Sequence, residues 1–238
     1  MEHLIDINIL SKKTEITEKD KLSKLIAYAH AIQSENMKYN LTGHSTLTDI
    51  MENLIVGSIE PANCIDVPRG TLFADIGTGA GIPGIPLAIK YNESRGVLFD
   101  SNQKKIRFIN KTINDLGINN VEGIAIRVED AGRSAEYRGN FDIVFTRAMS
   151  DIYTIAELGA PLLKIGGSVF LYANKSQTNF NNYLLDHLSE LGVSIEIMEA
   201  EKQIAEDDKI NGILLKKIKL TNEKFPRKMP VIKRMAMK

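Results

Sequence analysis

The chain has 238 residues, 43% apolar and 25% charged, with 30 Lys and Arg balancing 30 Asp and Glu; this is ordinary globular composition for one main domain with a modest extra element. No run approaches the 18 or so apolar residues a membrane span needs, and no secretory leader pattern opens the sequence. The single cysteine, Cys64, excludes an internal disulfide framework and argues against a cysteine-based zinc site, so the expectation is a cytoplasmic protein with no metal.

Leu22, Leu25, Ile26, Ala29 and Ile32 step by three or four, the spacing of an apolar helix face, and Thr17 is a candidate N-cap. Leu47, Ile50, Met51, Leu54, Ile55 and Ile59 form a second such run. Residues 1–68 therefore read as a small helical cap closed by Pro68-Arg69-Gly70. The period then changes. Thr71–Ile76 and Gly96–Asp100 are short apolar runs with the signature of buried strands, and Pro83–Tyr91 between them is a short helix. Ile106, Ile109, Ile113 and Leu116 mark an amphipathic helix with Ser101 as candidate N-cap and Gly117 as its stop. Further strands are predicted at Val121–Ile126, Phe141–Thr146, Gly167–Tyr172, Val193–Met198 and Gly212–Leu220, with a helix around Tyr183–Leu191. Alternation of this kind makes an α/β fold with a Rossmann-like, mostly parallel sheet. The last two strands are too close for a crossover helix, so one is expected to be antiparallel. The sheet domain spans 69–220.

The charge is unevenly spread. Lys216 to Lys238 holds nine Lys and Arg against Glu223 alone, a net of +8, so the preceding residues sum to −8. Residues 221–238 thus read as a basic tail suited to nucleic acid, or simply as a solvated terminus, and the charge suggests mobility.

In an open parallel sheet the ligand sits beyond the carboxyl ends of the strands, so the loops after Ile76, Asp100, Ile126 and Thr146 should share one pocket. The first is Asp75-Ile76-Gly77-Thr78-Gly79-Ala80-Gly81-Ile82-Pro83-Gly84. Glycines 77, 79 and 81 remove side chains where a cofactor must lie against the backbone. A dinucleotide spelling exists at 79–84, but it starts too far past the strand, and Pro83 removes an N–H that a pyrophosphate would need. An acid followed by G-x-G-x-G resembles the nucleoside loop of S-adenosylmethionine-dependent methyltransferases. Asp100, 25 positions on, can accept from both ribose hydroxyls in a nicotinamide enzyme or a methyltransferase alike. Val128 and Glu129 would border the adenine. Arg147, ending a buried strand, needs a partner: a cofactor carboxylate, a substrate phosphate or a structural ion pair. No Asn/Asp-Pro-Pro-aromatic sequence for amine methylation follows that strand, and no cysteine stands there for a covalent adduct. None of His3, His30, His44 and His187 falls in a predicted catalytic loop, which favours an acceptor with its own lone pair, such as guanine N7.

Together these segments resemble the bacterial small-subunit ribosomal RNA guanine-N7 methyltransferases, the glucose-inhibited division protein B family. The matching residues are Tyr39-Asn40-Leu41-Thr42, Asp75 through Gly84-Ile85-Pro86-Leu87-Ala88, Asp100-Ser101 with Lys104-Lys105, Arg127-Val128-Glu129, Thr146-Arg147-Ala148 and Lys224-Phe225-Pro226-Arg227-Lys228. The resemblance implies a class I methyltransferase sheet and methyl transfer from S-adenosyl-L-methionine to N7 of a guanine in the 530 loop of 16S rRNA. It implies cofactor contacts by Gly77, Ile82, Val128, Glu129 and Arg147. Arg127, Arg147 and Lys175 would line the cleft for RNA phosphate and guanine, with Lys175 a candidate for guanine O6. The partner would be 16S rRNA or the small subunit, met by a monomer. Where the family has His and Asp-Ser-Leu in its second helix, this chain has Asn53-Leu54-Ile55-Val56-Gly57-Ser58. A basic cluster of Lys104, Lys105, Arg107 and Lys111 is either an RNA contact or a solvated helix face. Alternatives are a small-metabolite methyltransferase, a nicotinamide dehydrogenase on the same sheet, and a non-catalytic RNA-binding protein.

Overall fold

A computed structural model describes residues 6–147, 150–173, 178, 180–199 and 210–237. Asp6 caps α1 (Ile7–Thr14) by accepting from the N–H groups of Asn8 and Ile9, and α2 (Lys19–Asn36) follows. Thr17 is not its cap; Glu18 takes that position without a side-chain bond. Then α3 (Leu47–Asp49) runs through a π-helical turn, Ile50–Val56, into α4 (Gly57–Ile59) and a 3-10 turn, Glu60–Cys64. Beyond them come β1 (Leu72–Ile76), α5 (Gly84–Lys90), β2 (Arg95–Asp100), α6 (Gln103–Asp115), β3 (Val121–Ala125), α7 (Val128–Ala131) and β4 (Phe141–Thr146). The chain continues with α8 (Ile152–Gly159), β5 (Leu163–Leu171), α9 (Asn182–Leu191), β6 (Val193–Glu199), β7 (Ile210–Lys217) and α10 (Met229–Ala236).

The sheet has the order β3-β2-β1-β4-β5-β7-β6. Its first five strands run parallel, with Asp75 opposite Leu98 and Phe145, and β7 runs antiparallel to both β5 and β6. The expected antiparallel strand is therefore β7, inserted between β5 and the edge strand β6. Chain order reverses between β1 and β4, which opens a crevice at their carboxyl ends.

Alternate residues of the central strands feed two cores. One face sends Phe73, Ile143, Phe145 and Phe170 against α1, α2, the 47–64 segment, α5 and α6. The other sends Ala74, Ile76, Val144, Val169 and Leu171 against α7, α8, α9 and α10. The N-terminal helices have no core of their own; Leu25, Ile32 and Ile55 share the cluster of the sheet face. Gly96 lies under the Phe73 ring, where an added Cβ would come within 2.2 Å of the ring, so only glycine lets β2 pass beneath.

The basic C-terminal segment departs from expectation. Phe225 is 1% and Ile232 0% exposed, and α10 packs into the second core. Two of the segment's nine cations are structural. The ammonium of Lys217 is buried on the Ala160 carbonyl and the Thr221 hydroxyl, and burial lowers its pKa to about 8. Arg227 pairs with buried Glu157. Apolar spacing at 225, 229, 232 and 236 decides the local structure because burial outweighs charge repulsion that water largely screens. The helix after β2 is capped by Asn102, not Ser101; Asn102 accepts from the N–H groups of Lys104 and Lys105.

Candidate functional site

Three loops meet at the carboxyl ends of β1, β2 and β3 around a cavity of about 310 Å³. The first contributes Gly77, the second Asp100 and Ser101, the third Arg127, Val128 and Glu129, and Met229 at the start of α10 closes a fourth side. Five residues singled out from sequence thus share one cavity.

The glycine loop is fixed by its own hydrogen bonds. The N–H groups of Gly77 and Thr78 both donate to the Phe99 carbonyl, at 2.9 and 3.0 Å, and the Gly79 N–H donates to Asp100 Oδ2 at 3.0 Å. Gly77, Gly79 and Gly81 have φ of 71°, 61° and 99°, a region where a Cβ is strained. At Gly79 an added Cβ would meet nothing nearer than 3.9 Å, so this stretch of backbone lies bare. At Gly81 it would lie 2.6 Å from Ile85 and 2.9 Å from the Tyr28 hydroxyl. Gly81 is thus needed for packing and Gly79 for exposure. Ile82, half-buried, precedes α5 and is not among the residues lining the cavity.

Asp100 holds its carboxylate toward the cavity through two backbone donors, Gly79 N–H and Asn102 N–H (2.8 Å to Oδ1). Each oxygen keeps a lone pair for an incoming hydroxyl. Arg127 is exposed and its guanidinium lies 3.9 Å from buried Glu129. Behind the loop, Asp75 is fully buried. Its Oδ2 accepts from the Thr78 hydroxyl (2.6 Å) and the Gly84 N–H (2.8 Å), while Oδ1 has no hydrogen bond among the described residues. Burial pushes its pKa up to about 7 against the opposing pull of those two donors.

Sequence reasoning missed Tyr28 and Met229. Tyr28, fully buried on α2, donates its hydroxyl to the Ala80 carbonyl at 2.7 Å, so a cap helix props the glycine loop from below. Tyr28 falls inside the 22–32 helical run but outside the five residues that mark its apolar face, and only its hydroxyl is a signal. Met229 was masked by the charges around it.

Arg147 does not line the cavity. Its guanidinium reaches the N-terminal helices, donating to the carbonyls of Asn53 (2.6 Å) and Leu54 (3.4 Å) and to the Ser58 hydroxyl (3.3 Å), and lies 5.8 Å from the Tyr172 ring centroid. The Gly57 site would place a Cβ 3.2 Å from Nη2, so the missing side chain makes room for the guanidinium. Tyr172 in turn donates its hydroxyl to the Ser58 carbonyl. Burial lowers the Arg147 pKa from its usual value. Lys175 lies outside the described residues. In the basic cluster, Lys104 sits 3.5 Å over the Tyr39 ring and Lys111 pairs with Asp115. No helix among the described residues is long and apolar enough to cross a membrane, and no group of three His, Cys, Asp or Glu among them could hold a metal.

The bare glycine backbone, the oriented Asp100 carboxylate and the cavity's size, which falls at the small end of ligand pockets, fit an adenosine-bearing cofactor. Comparison with known proteins points the same way. A family model described as rRNA small subunit methyltransferase G matches residues 21–204. The Ribosomal RNA small subunit methyltransferase G of Clostridium perfringens is 32% identical over 210 residues, 88% of this chain and 87% of that protein. The protein of the same name from Mycoplasmoides gallisepticum is 36% identical over 226 residues, 93% of each. A crystal structure of a SAM dependent methyltransferase from Aquifex aeolicus shares the fold, with 16% identity, TM-score 0.50, and coverage of 70% of this chain and 91% of that one. With most of its length matched by the family model and by relatives above 30% identity, the chain belongs to the rRNA small subunit methyltransferase G family and is an S-adenosylmethionine-dependent rRNA methyltransferase.

Proposed function

We propose that the chain methylates N7 of a guanine in the 530 loop of 16S rRNA, acting as a cytoplasmic monomer. The observation that carries the reading is the cavity built jointly by the glycine loop, Asp100 and Val128-Glu129. In this reading Asp100 takes the ribose hydroxyls, Val128 and Glu129 border the adenine, and the backbone at Gly77, Gly79 and Gly81 with the Ile82 turn carries the remainder. The bound cofactor supplies an electrophilic methyl group on a sulfonium. Guanine N7 carries its own lone pair, so the protein's task is alignment rather than proton removal.

Arg127, exposed beside the cavity, is suited to an RNA phosphate, and Lys175 to guanine O6, which pairs with N7 as an acceptor edge. Arg147 takes a different part from the one its position alone suggested. Bonded to Asn53, Leu54 and Ser58, it sets the cap against the end of β4 and leaves a cation near the cleft for a carboxylate or phosphate. Lys228, Lys233 and Arg234 are exposed on the C-terminal segment and offer phosphate contacts whose strength falls with salt. Residues 1–68 serve as cap, 69–220 as catalytic domain and 221–238 as a basic RNA-facing segment.

The test is methylation of small subunits from cells lacking the endogenous enzyme, followed by borohydride reduction and aniline cleavage at N7-methylguanine. One enzyme-dependent cut in the 530 loop is expected. Methyl incorporation without a cut would discard N7, and incorporation into neither subunits nor naked RNA would favour a small-molecule acceptor. Lys175→Ala retaining full turnover would remove that residue from guanine recognition.

A further inference from the structure

Met229 lies only two residues beyond Arg227, whose guanidinium and backbone are tied to Glu157. The Arg227 N–H and Nε each donate to Glu157 Oε1 at 2.8 Å, and Nη2 donates to Oε2 and, at 3.0 Å, to the Tyr153 hydroxyl. The preceding residues are fixed against the turn that follows α7. Arg133 Nε donates to the Pro226 carbonyl at 2.9 Å, and Arg138 donates to the carbonyls of Thr221, Asn222 and Phe225. Pro226 packs so closely on Gly132 that a Cβ there would come within 3.0 Å of its ring. Three residues further on, Ile232 is fully buried and holds α10 down. Met229 is thus clamped from both sides, and α7, on which the clamp rests, is the helix whose first residues, Val128 and Glu129, line the same cavity.

Met229 is half-buried on the wall of a cavity otherwise lined by Gly77, Asp100, Ser101, Arg127, Val128 and Glu129, and with Val128 it forms the apolar part of that lining, a surface matched to a flat aromatic ring. Sulfur is polarizable, the side chain is unbranched and adaptable, and sulfur–aromatic contact is favourable. We propose that Met229 is a cofactor-contacting residue, supplying the apolar wall against which the adenine of S-adenosylmethionine packs, so that the basic C-terminal segment is a structural part of the cofactor pocket. This rests on the reading that an adenosine cofactor occupies the cavity, and it goes beyond that reading by assigning the pocket's fourth wall.

The experiment measures binding of S-adenosylhomocysteine and of 5′-methylthioadenosine, which lacks the amino-acid part, to the full chain by calorimetry. Met229→Ala is expected to weaken both ligands by about the same factor, on the order of tenfold, from the lost apolar contact, while Met229→Leu stays within about threefold. Wild-type affinity in Met229→Ala for both ligands would overturn the inference. So would a loss confined to S-adenosylhomocysteine, which would put Met229 at the amino-acid end. Failure of the wild-type chain to bind either ligand would instead overturn the cofactor reading of the cavity. A second readout uses the absence of tryptophan from the chain. In Met229→Trp the single indole is expected to change emission on titration with 5′-methylthioadenosine, saturating at the calorimetric Kd. Unchanged emission alongside calorimetric binding would also overturn the inference.

Discussion

Two fully buried carboxylates, one on each face of the sheet, are handled in opposite ways. Asp75 meets only neutral donors, Thr78 and Gly84, with one oxygen lacking a hydrogen bond among the described residues. Glu157 meets a cation: both its oxygens are taken by Arg227, whose own pKa that hydrogen bonding raises above its usual value. Burial without a counter-charge favours the protonated acid, whereas burial with an arginine fork keeps the anion and makes it an anchor. Asp75 therefore shapes a loop through hydrogen bonds, and Glu157 holds a segment through charge.

The sharpest way to break that contrast is Glu157→Ala. It strands Arg227 and releases residues 221–236 from α8, and a loss of about 3–5 kcal/mol is expected in urea unfolding. A loss below about 1 kcal/mol would mean that apolar contacts alone hold the segment. Next comes Asp75→Asn. With a folded pKa near 7 and an unfolded one near ~3.9, wild-type Asp75 stays protonated in the fold while it ionises in the unfolded chain. Its contribution to stability therefore falls as pH rises from about 4 to about 7, at up to about 1.4 kcal/mol per unit. The stability difference in favour of Asp75→Asn should widen over that window and be constant above it; a pH-independent difference would refute the buried, uncompensated acid.

His187 supplies the opposite slope. It is buried, stacked on Tyr153 at 3.6 Å, and lies 3.4 Å from Glu157. Burial lowers its pKa to about 4 despite the attraction of Glu157. Its folded pKa is depressed below the unfolded ~6.5, so it stabilises above about 6.5 and loses that contribution as pH falls toward 4. His187→Gln should remove this acid-side loss and expose the Asp75 slope, measured as urea midpoints at pH 4.5, 5.5 and 6.5. The smallest effect is Tyr28→Phe, which keeps the ring but gives up the bond to the Ala80 carbonyl. About 1 kcal/mol is expected, with S-adenosylhomocysteine affinity falling alongside because the glycine loop loosens. Unchanged affinity with lowered stability would confine Tyr28 to packing.

The strands were legible because β1, β2 and β4 are continuous apolar runs, which is what burial on both faces requires. The cavity was legible for the same reason that it works: glycines 77, 79 and 81, then acids and a Val-Glu pair, stand at the ends of those runs. What could not be read depends on distant partners. Helix α1 escaped notice because it buries few apolar residues, leaving Ile7 52% and Ile9 55% exposed. The C-terminal segment looked mobile because its charges were visible while their partners, the Ala160 carbonyl and Glu157, lay 57 and 70 positions earlier. Arg147 was expected at the site as a strand-end cation; its acceptors are two carbonyls of a π-helical turn and the Ser58 hydroxyl, some 90 positions earlier, and backbone acceptors so distant give no sequence signal.

The 70 positions separating Arg227 from Glu157 also set an order of events in time. As synthesis proceeds from the N-terminus, α8 and the first four strands can assemble long before their counter-ion emerges. Until then Glu157 and His187 sit under an open flank, the carboxylate without its arginine. Closure of that flank is a late, non-local step that pays its loop entropy at the end, so chains interrupted before Phe225 expose the apolar face of α8 and α9, the kind of surface that chaperones and proteases recognise.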